Sequence, residues 1–374
     1  MHPLHNPPQR KNPMTPQPPA APTGTGASPS FSGVSLSPYP GIAQHLPVQL
    51  RNLRAQRFRG EHLDASLSAL NAADQDRVRR LYAYAKGTYG LWLAMREAPD
   101  WAALREQVLS ILDAPLSGAA QDLGRDTMAH LNHHPTLLTL SKVLHDLRGG
   151  ALLSLQLYAQ LARWDGDPMH LRSAAFLARD QAKIMRNALP DLDPETRQAD
   201  ESEKPHFMQT VVDKWNAFRF ENAQHQTGQV HVTCEYDGLL ASCCLEASAV
   251  DRVVYNYVNN AIRFSAGPSI RMEIVPVGGD AVRWVVANPM SPDQSAWLRQ
   301  ETAGDLSTLF RGGVTRGGNG LGLSNCAEFV AAAFGLPDIH TALSGRYLGA
   351  RVEGDWYLAW AHWPALYANE AVSR

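Results

Sequence analysis

The chain has four cysteines in 374 residues, Cys234, Cys243, Cys244 and Cys326. They are too sparse for a secreted disulfide framework and lack the paired short spacing of a zinc site, so a reducing cytoplasm is the expected compartment. No stretch approaches the roughly 20 consecutive apolar residues needed to span a bilayer, and the N-terminus lacks the short apolar core of a secretory signal. Any stimulus is then expected inside the cell or through a partner. The formal net charge is -2, which leaves no basic field to hold a nucleic-acid backbone. Nucleic acid and membrane are therefore not expected partners. An acidic receiver-type cluster and a DNA-binding module are also missing.

What is present changes character along the chain. Residues 1–47 are rich in Pro, Ser, Thr and Gly and poor in large apolar residues, a composition expected to stay disordered. Residues 48–135 read as helical and carry no visible catalytic pattern, so they could form a sensory domain or a cap that stabilises a dimer. Over 136–190, Leu140, Leu144, Leu147, Ala151, Leu155, Tyr158 and Ala162 recur at three- and four-residue steps, which draws an apolar stripe down one helix. Turn residues Trp164 to Pro168 follow, and a second stripe runs through Leu171, Ala174, Leu177, Ala178, Ala182, Met185 and Ala188. Two striped helices alone bury little, so the hairpin is expected to dimerise into a four-helix bundle. Residues 205–366 mix strand and helix signals: Val230–Cys234 and Ile270–Ile274 alternate, Gly278-Gly279-Asp280 joins the latter to Val282–Val286 as a hairpin, and Ser248–Phe264 reads as a helix. The expected fold class is α+β, a helical region and hairpin followed by a sheet with helices on one face.

Two segments carry chemistry. In Asn256-Tyr-Val-Asn-Asn260-Ala-Ile-Arg263, positions 256, 260 and 263 share one helix face. Carboxamide oxygens are hard ligands suited to Mg²⁺ on phosphate, and a guanidinium neutralises phosphate charge. Arg311 to Leu323 is glycine-rich and opens directly into a helix. Glycines let backbone N–H groups approach an anion, and the helix N-terminus favours phosphate. The loop lacks the Lys-Ser/Thr ending of a P-loop.

Joined in this order, the two segments resemble the N box and second glycine box of the GHKL ATP-binding superfamily, which includes histidine kinases, type II topoisomerases, Hsp90 and MutL. The resemblance covers residues 205 to about 365, and Leu309 to Gly313 resembles the F-box region of histidine kinases. Upstream, Ser141-Lys-Val-Leu-His145-Asp146-Leu-Arg148 resembles their H box. A neutral imidazole is a competent nucleophile, and a neighbouring carboxylate can fix its tautomer and accept the displaced proton. The resemblance implies a cytoplasmic, homodimeric histidine kinase that binds ATP and Mg²⁺ through Asn256, Asn260, Arg263, Asn288, Gly318, Gly320, Leu321 and Gly322, with Asn260 at the metal. His145 would be phosphorylated, with Asp146 assisting, and the phosphoryl group would pass to the receiver domain of a separate response regulator.

Three departures bear on this. Asn288 stands where the family has the adenine-binding Asp, and its glycines are missing there; an Asn oxygen can still accept from the adenine amino group. Gly150 stands where the family often has proline, and paired Gly149-Gly150 should bend the helix below His145. Gly149 stands where bifunctional kinases hold Thr or Asn, which speaks against phosphatase activity. The alternative readings are a catalytically weak or inactive GHKL scaffold or phosphotransfer dimer and, less well matched because such chains lack an upstream H-box hairpin, an Hsp90- or MutL-like clamp ATPase.

Overall fold

A computed structural model describes residues 64–97, 122–125, 127, 137–148, 155, 158, 160, 161, 163, 168–222, 225–278, 281–316 and 320–366. The readings made for the leader at 1–47, much of 48–135, the turn at 164–167, the bend at Gly149-Gly150 and Gly318 fall outside these residues. The fold is α+β. None of the helices among the described residues is long and apolar enough to cross a membrane.

Three helices build the first core: α1 (Ala72–Glu97), α2 (Leu137–Arg148) and α3 (Pro168–Ala188). Leu140, Leu144 and Leu147 of α2, with Leu155 and Tyr158 beyond it, meet Leu177, Ala178, Ala182 and Met185 of α3. Val78, Leu81 and Ala85 of α1 complete the same cluster. The described residues of the first stripe are buried within the chain, where α1 lies along α3 and supplies a third apolar face. Asp74 in the first turn of α1 is fully buried and accepts from the N–H groups of Gly124 and Thr127 at 2.8 and 3.0 Å, which ties the 122–127 segment to the bundle. Gly124 takes φ +76° against α2, and a Cβ there would sit 2.5 Å from a Leu144 methyl, so only glycine fits.

The remainder is a sandwich. After α4 (Pro194–Glu201) come β1 (His206–Phe207), α5 (Met208–Trp215), β2 (Arg219–Glu221), β3 (Thr227–Cys234), β4 (Leu239–Ala241), α6 (Cys244–Phe264), β5 (Ser269–Val277), β6 (Ala281–Pro289), α7 (Pro292–Thr302), α8 (Gly322–Ala333), α9 (Ile339–Ser344), β7 (Leu348–Glu353) and β8 (Trp356–Pro364). The main sheet runs β2-β3-β5-β6-β8-β7, and β1 pairs separately with β4. Only β3 and β5 are parallel in the main sheet. A parallel pair needs a crossover, and α6 lies within it, which lays this helix across the sheet.

Alternation then decides the core. Met272 and Ile274 of β5, Trp284 and Val286 of β6, and Ala359 and Ala361 of β8 point into the cluster formed with Val250, Val254 and Val258 of α6 and Phe329 and Val330 of α8. Every residue of β6 from Ala281 to Asn288 is buried. The strand lies between β5 and β8, and its second face carries Val285 beside the bulky Trp360. Phe310, in the turn before the glycine-rich loop, is fully buried with its ring 6.4 Å from that of Tyr257. Truncating such a side chain to Ala costs roughly 3–5 kcal/mol, so the loop starts from a firm anchor.

Candidate nucleotide and phosphoacceptor site

Helix α6 starts with a reciprocal cap: Glu246 accepts from the Cys243 and Ser242 N–H groups at 3.1 and 2.7 Å. This fixes the start of the helix and the direction in which its later turns face. Val253, Val254, Tyr257, Val258 and Ala261 turn to the sheet and are buried, and Tyr257 donates to the Trp360 carbonyl at 3.0 Å. With that face committed, Asn256, Asn259, Asn260 and Arg263 are left to line a cavity of about 170 Å³.

The cavity's far walls come from elsewhere. Asn288 and Met290 close the end of β6, Gln294, Trp297 and Leu298 come from α7, and Arg316, Gly320, Gly322 and Leu323 come from the glycine-rich segment. Asp and Glu are absent from the described lining. Two guanidiniums and a ring of carboxamides thus face a space with no negative charge of its own, which suits an anion. Arg263 donates to the Arg316 carbonyl at 3.1 Å, and Arg316 donates to Gln294 at 2.9 Å, so Arg263 is braced against the glycine-rich segment and Arg316 against α7. Gly313 and Gly320 both take positive φ where the loop folds on itself. Helix α8 begins at Gly322 with Leu321 at the cap position, which offers no side-chain bond to the first N–H groups. Such a helix start is an anion-binding element.

His145 lies in the same lining. Its side chain is 21% exposed, and its Cε1 sits 3.8 Å from where a Cβ on Gly322 would be. Helix α2 therefore narrows the cavity from one side, and the volume is below the roughly 300–1,000 Å³ usual for ligand pockets. The chain brings together His145, Asn256, Asn260, Arg263, Asn288, Gly320 and Gly322. It leaves Leu321 outside the lining, where Leu323 stands instead, and Gly318 is not described.

Asp146 points the other way. It is buried, forms an ion pair with Arg252 of α6 and accepts from Asn325 of α8 at 2.8 Å. Burial opposes its ionisation, but Arg252, His145 and Asn325 outweigh burial and hold the carboxyl below its ordinary pKa. Its contact with the His145 Nδ1 is long, at 3.4 Å. One turn earlier on the same helix face, Lys142 forms an ion pair with Glu328 of α8. Asp146 thus clamps α2 onto the sandwich. Asn288 donates through Nδ2 to the Pro289 carbonyl at 3.2 Å, which leaves its Oδ1 free to accept.

Sequence reasoning did not single out Gln294, Trp297 or Arg316. Arg316 carried a signal, a cation inside the glycine-rich run, whereas Gln294 and Trp297 reach the cavity only through the fold of α7. Arg252 and Asn325, the partners of Asp146, had none.

No family model and no curated protein matches the chain in sequence. Solved structures do match. They include a mycobacterial sensor histidine kinase, MprB, at 16% identity over 44% of this chain and 99% of that one, with a TM-score of 0.30. Full-length ShkA in complex with AMPPNP is 18% identical over 65% of this chain and 46% of that one, at TM-score 0.32. The Acinetobacter baumannii histidine kinase AdeS is 13% identical over 59% and 97%, at 0.26.

Proposed function

We propose that the chain is a cytoplasmic, ATP-dependent histidine kinase that phosphorylates His145 and passes the phosphoryl group to the receiver domain of a separate response regulator. The observation that carries this reading is the shared cavity: His145 of α2 and the Asn256, Asn260 and Arg263 face of α6 line one space with no carboxylate in its described lining. ATP would be held by Arg263, Arg316, the Gly320 and Gly322 backbone and the uncapped start of α8, with Asn288 accepting from the adenine amino group. The carboxamide set also fits Mg²⁺, with Asn260 as the ligand and Asn256 beside it. When bound, the ion would neutralise phosphate charge.

His145 then attacks through Nε2, because Nδ1 faces Asp146. A P–N bond forms as the bond from the terminal phosphorus to its bridging oxygen breaks, ADP leaves with that electron pair, and the Nδ1 proton of the resulting imidazolium passes to solvent. Positioning and charge neutralisation supply the acceleration, as in phosphoryl transfer generally. Asp146, with its oxygens shared by Arg252 and Asn325, acts as a positioning residue that holds His145 at the cavity. Transfer within one chain is the geometry favoured by this arrangement, and a homodimer joined through another surface is compatible with it.

Incubation with γ-labelled ATP and Mg²⁺ tests the proposal. Acid-labile label is expected, lost in both His145→Ala and Asn260→Ala. The rival scaffold reading predicts nucleotide binding without label. Asp146→Asn sharpens the distinction: a positioning role predicts a loss of stability together with weaker labelling, whereas a general base predicts lost labelling at unchanged stability.

A further inference from the structure

A second cavity, of about 460 Å³, lies on the side of α6 away from the nucleotide site. It is walled by α1, α3, α4, β1, α5, β4 and the first turns of α6. Its cations are Lys86, Arg179, Lys183, Arg186 and Lys214, and its carboxylates are Asp200 and Asp251.

The carboxylates are already engaged. Asp200 takes both Arg186 nitrogens at 2.9 and 2.5 Å. Asp251 shares Lys214, at 3.4 Å, with the buried Asp180, which also holds Arg179 at 2.8 Å. Outside the cavity, Asp193 holds Lys86 at 2.8 Å. Lys183 has no ion pair among the described residues, and the buried His206 Nε2 has no hydrogen-bond partner among them. Burial first, with Lys183, Lys204 and Arg179 adding to it, pushes His206 down to about 4. Ala182, Val211, Leu240 and Ala247 supply apolar wall beside Tyr89, Thr196 and Thr210, and the Phe207 ring stands 48% exposed at the rim. A cavity of this size, with apolar walls and a few convergent cations, is built like a small-molecule site. The volume is well beyond that of a lone inorganic ion, and an apolar ring at an opening is ordinarily costly to leave in water.

We propose that this cavity binds a small organic anion, a carboxylate or phosphate carried on an apolar body, with Lys183 and His206 at the charge and Phe207, Val211 and Ala247 around the body. Because α1 and α3 supply one wall and the start of α6 the other, occupancy would bias how the phosphoacceptor bundle sits on the helix bearing Asn256 and Asn260. That regulatory consequence rests on the kinase reading; the binding itself does not.

The test uses the full chain without ATP, with 8-anilinonaphthalene-1-sulfonate as a fluorescent probe and four competitors: octanoate, octyl phosphate, inorganic phosphate and octanol. Saturable one-site binding is expected, displaced by octanoate or octyl phosphate at least tenfold better than by octanol or inorganic phosphate. Lys183→Gln and the exposed rim change Thr210→Glu should each weaken the probe about tenfold or more while thermal unfolding and binding of an ATP analogue stay as in the parent. Equal displacement by octanol, equal displacement by inorganic phosphate, or probe binding indifferent to both substitutions would overturn the proposal. A chain that binds the probe but never labels from ATP would retire the kinase reading and leave this one standing.

Discussion

The two cavities that flank α6 are built on opposite plans. The one at its C-terminal half is lined by carboxamides and two arginines without a carboxylate in its described lining. The one at its N-terminal half is crowded with cations whose buried partners, Asp180, Asp200 and Asp251, already neutralise most of them. The first plan costs little folding energy, because neutral amides keep contact with water, and it places its selectivity in the ligand. The second makes the charges part of the structure, since a buried ion removed from its partner is severely penalised.

The sharpest way to break this comparison is to remove one polar group from each side and measure unfolding in urea. Asp180→Ala strands the Arg179 and Lys214 charges in a buried setting and should cost roughly 3–5 kcal/mol. Asn260→Ala removes a half-buried amide and should cost well under about 1 kcal/mol, while nucleotide affinity falls about tenfold or more. Similar stability losses in the two variants would erase the distinction between a structural and a ligand-facing charge set.

The two plans also differ in how far they could be read from sequence. Asn256, Asn260 and Arg263 lie within two turns of one helix, so helical periodicity alone placed them on one face, and His145 stood out through its acidic neighbour and its striped hairpin. Strands β3 and β5 were legible from alternation, and the hairpin to β6 from Gly278. The second cavity draws on seven elements; Arg179, Lys183 and Arg186 share one face of α3 at four- and three-residue steps, but a basic helix face is ordinarily a solvated one and does not announce a cavity. The same holds for Arg252 and Asp146, 106 residues apart, whose pairing ties α2 to α6. An apolar stripe, likewise, says that a helix will be covered and not by what: the hairpin's pattern did not announce that α1 packs along α3.

A smaller effect should separate the cavities by pH. The folded-state pKa of His206, about 4, lies below the roughly 6.5 of an unfolded histidine, so the unfolded chain takes up the proton first as pH falls. The contribution of neutral His206 to stability is therefore present above about pH 6.5 and is lost between there and about 4. His206→Asn should flatten that part of the stability profile, and titration of the His206 ring by NMR should give a midpoint near 4 that rises when octyl phosphate is bound. A midpoint near 6.5 in the free protein would mean that the ring is neither buried nor beside the cations that line this cavity.

The smallest expected change concerns adenine. Asn288 is 1% exposed and lies at the end of β6 with Nδ2 turned to the Pro289 carbonyl, so its oxygen is the group positioned to accept from a base amino group. Guanine presents a carbonyl at the corresponding position, and two acceptors facing each other leave both unsatisfied. A hydrogen bond of this kind between neutral groups is worth about 1 kcal/mol, which converts to roughly fivefold in affinity. Asn288→Ala should therefore narrow the preference for ATP over GTP by about that factor in competitive binding, mainly by weakening ATP, while Asn260→Ala should weaken both nucleotides alike through their shared phosphates. If Asn288→Ala weakened ATP and GTP equally, the amide would be acting on the shape of the β6 terminus, and base selection would have to come from Gln294 or Thr315 on the opposite wall.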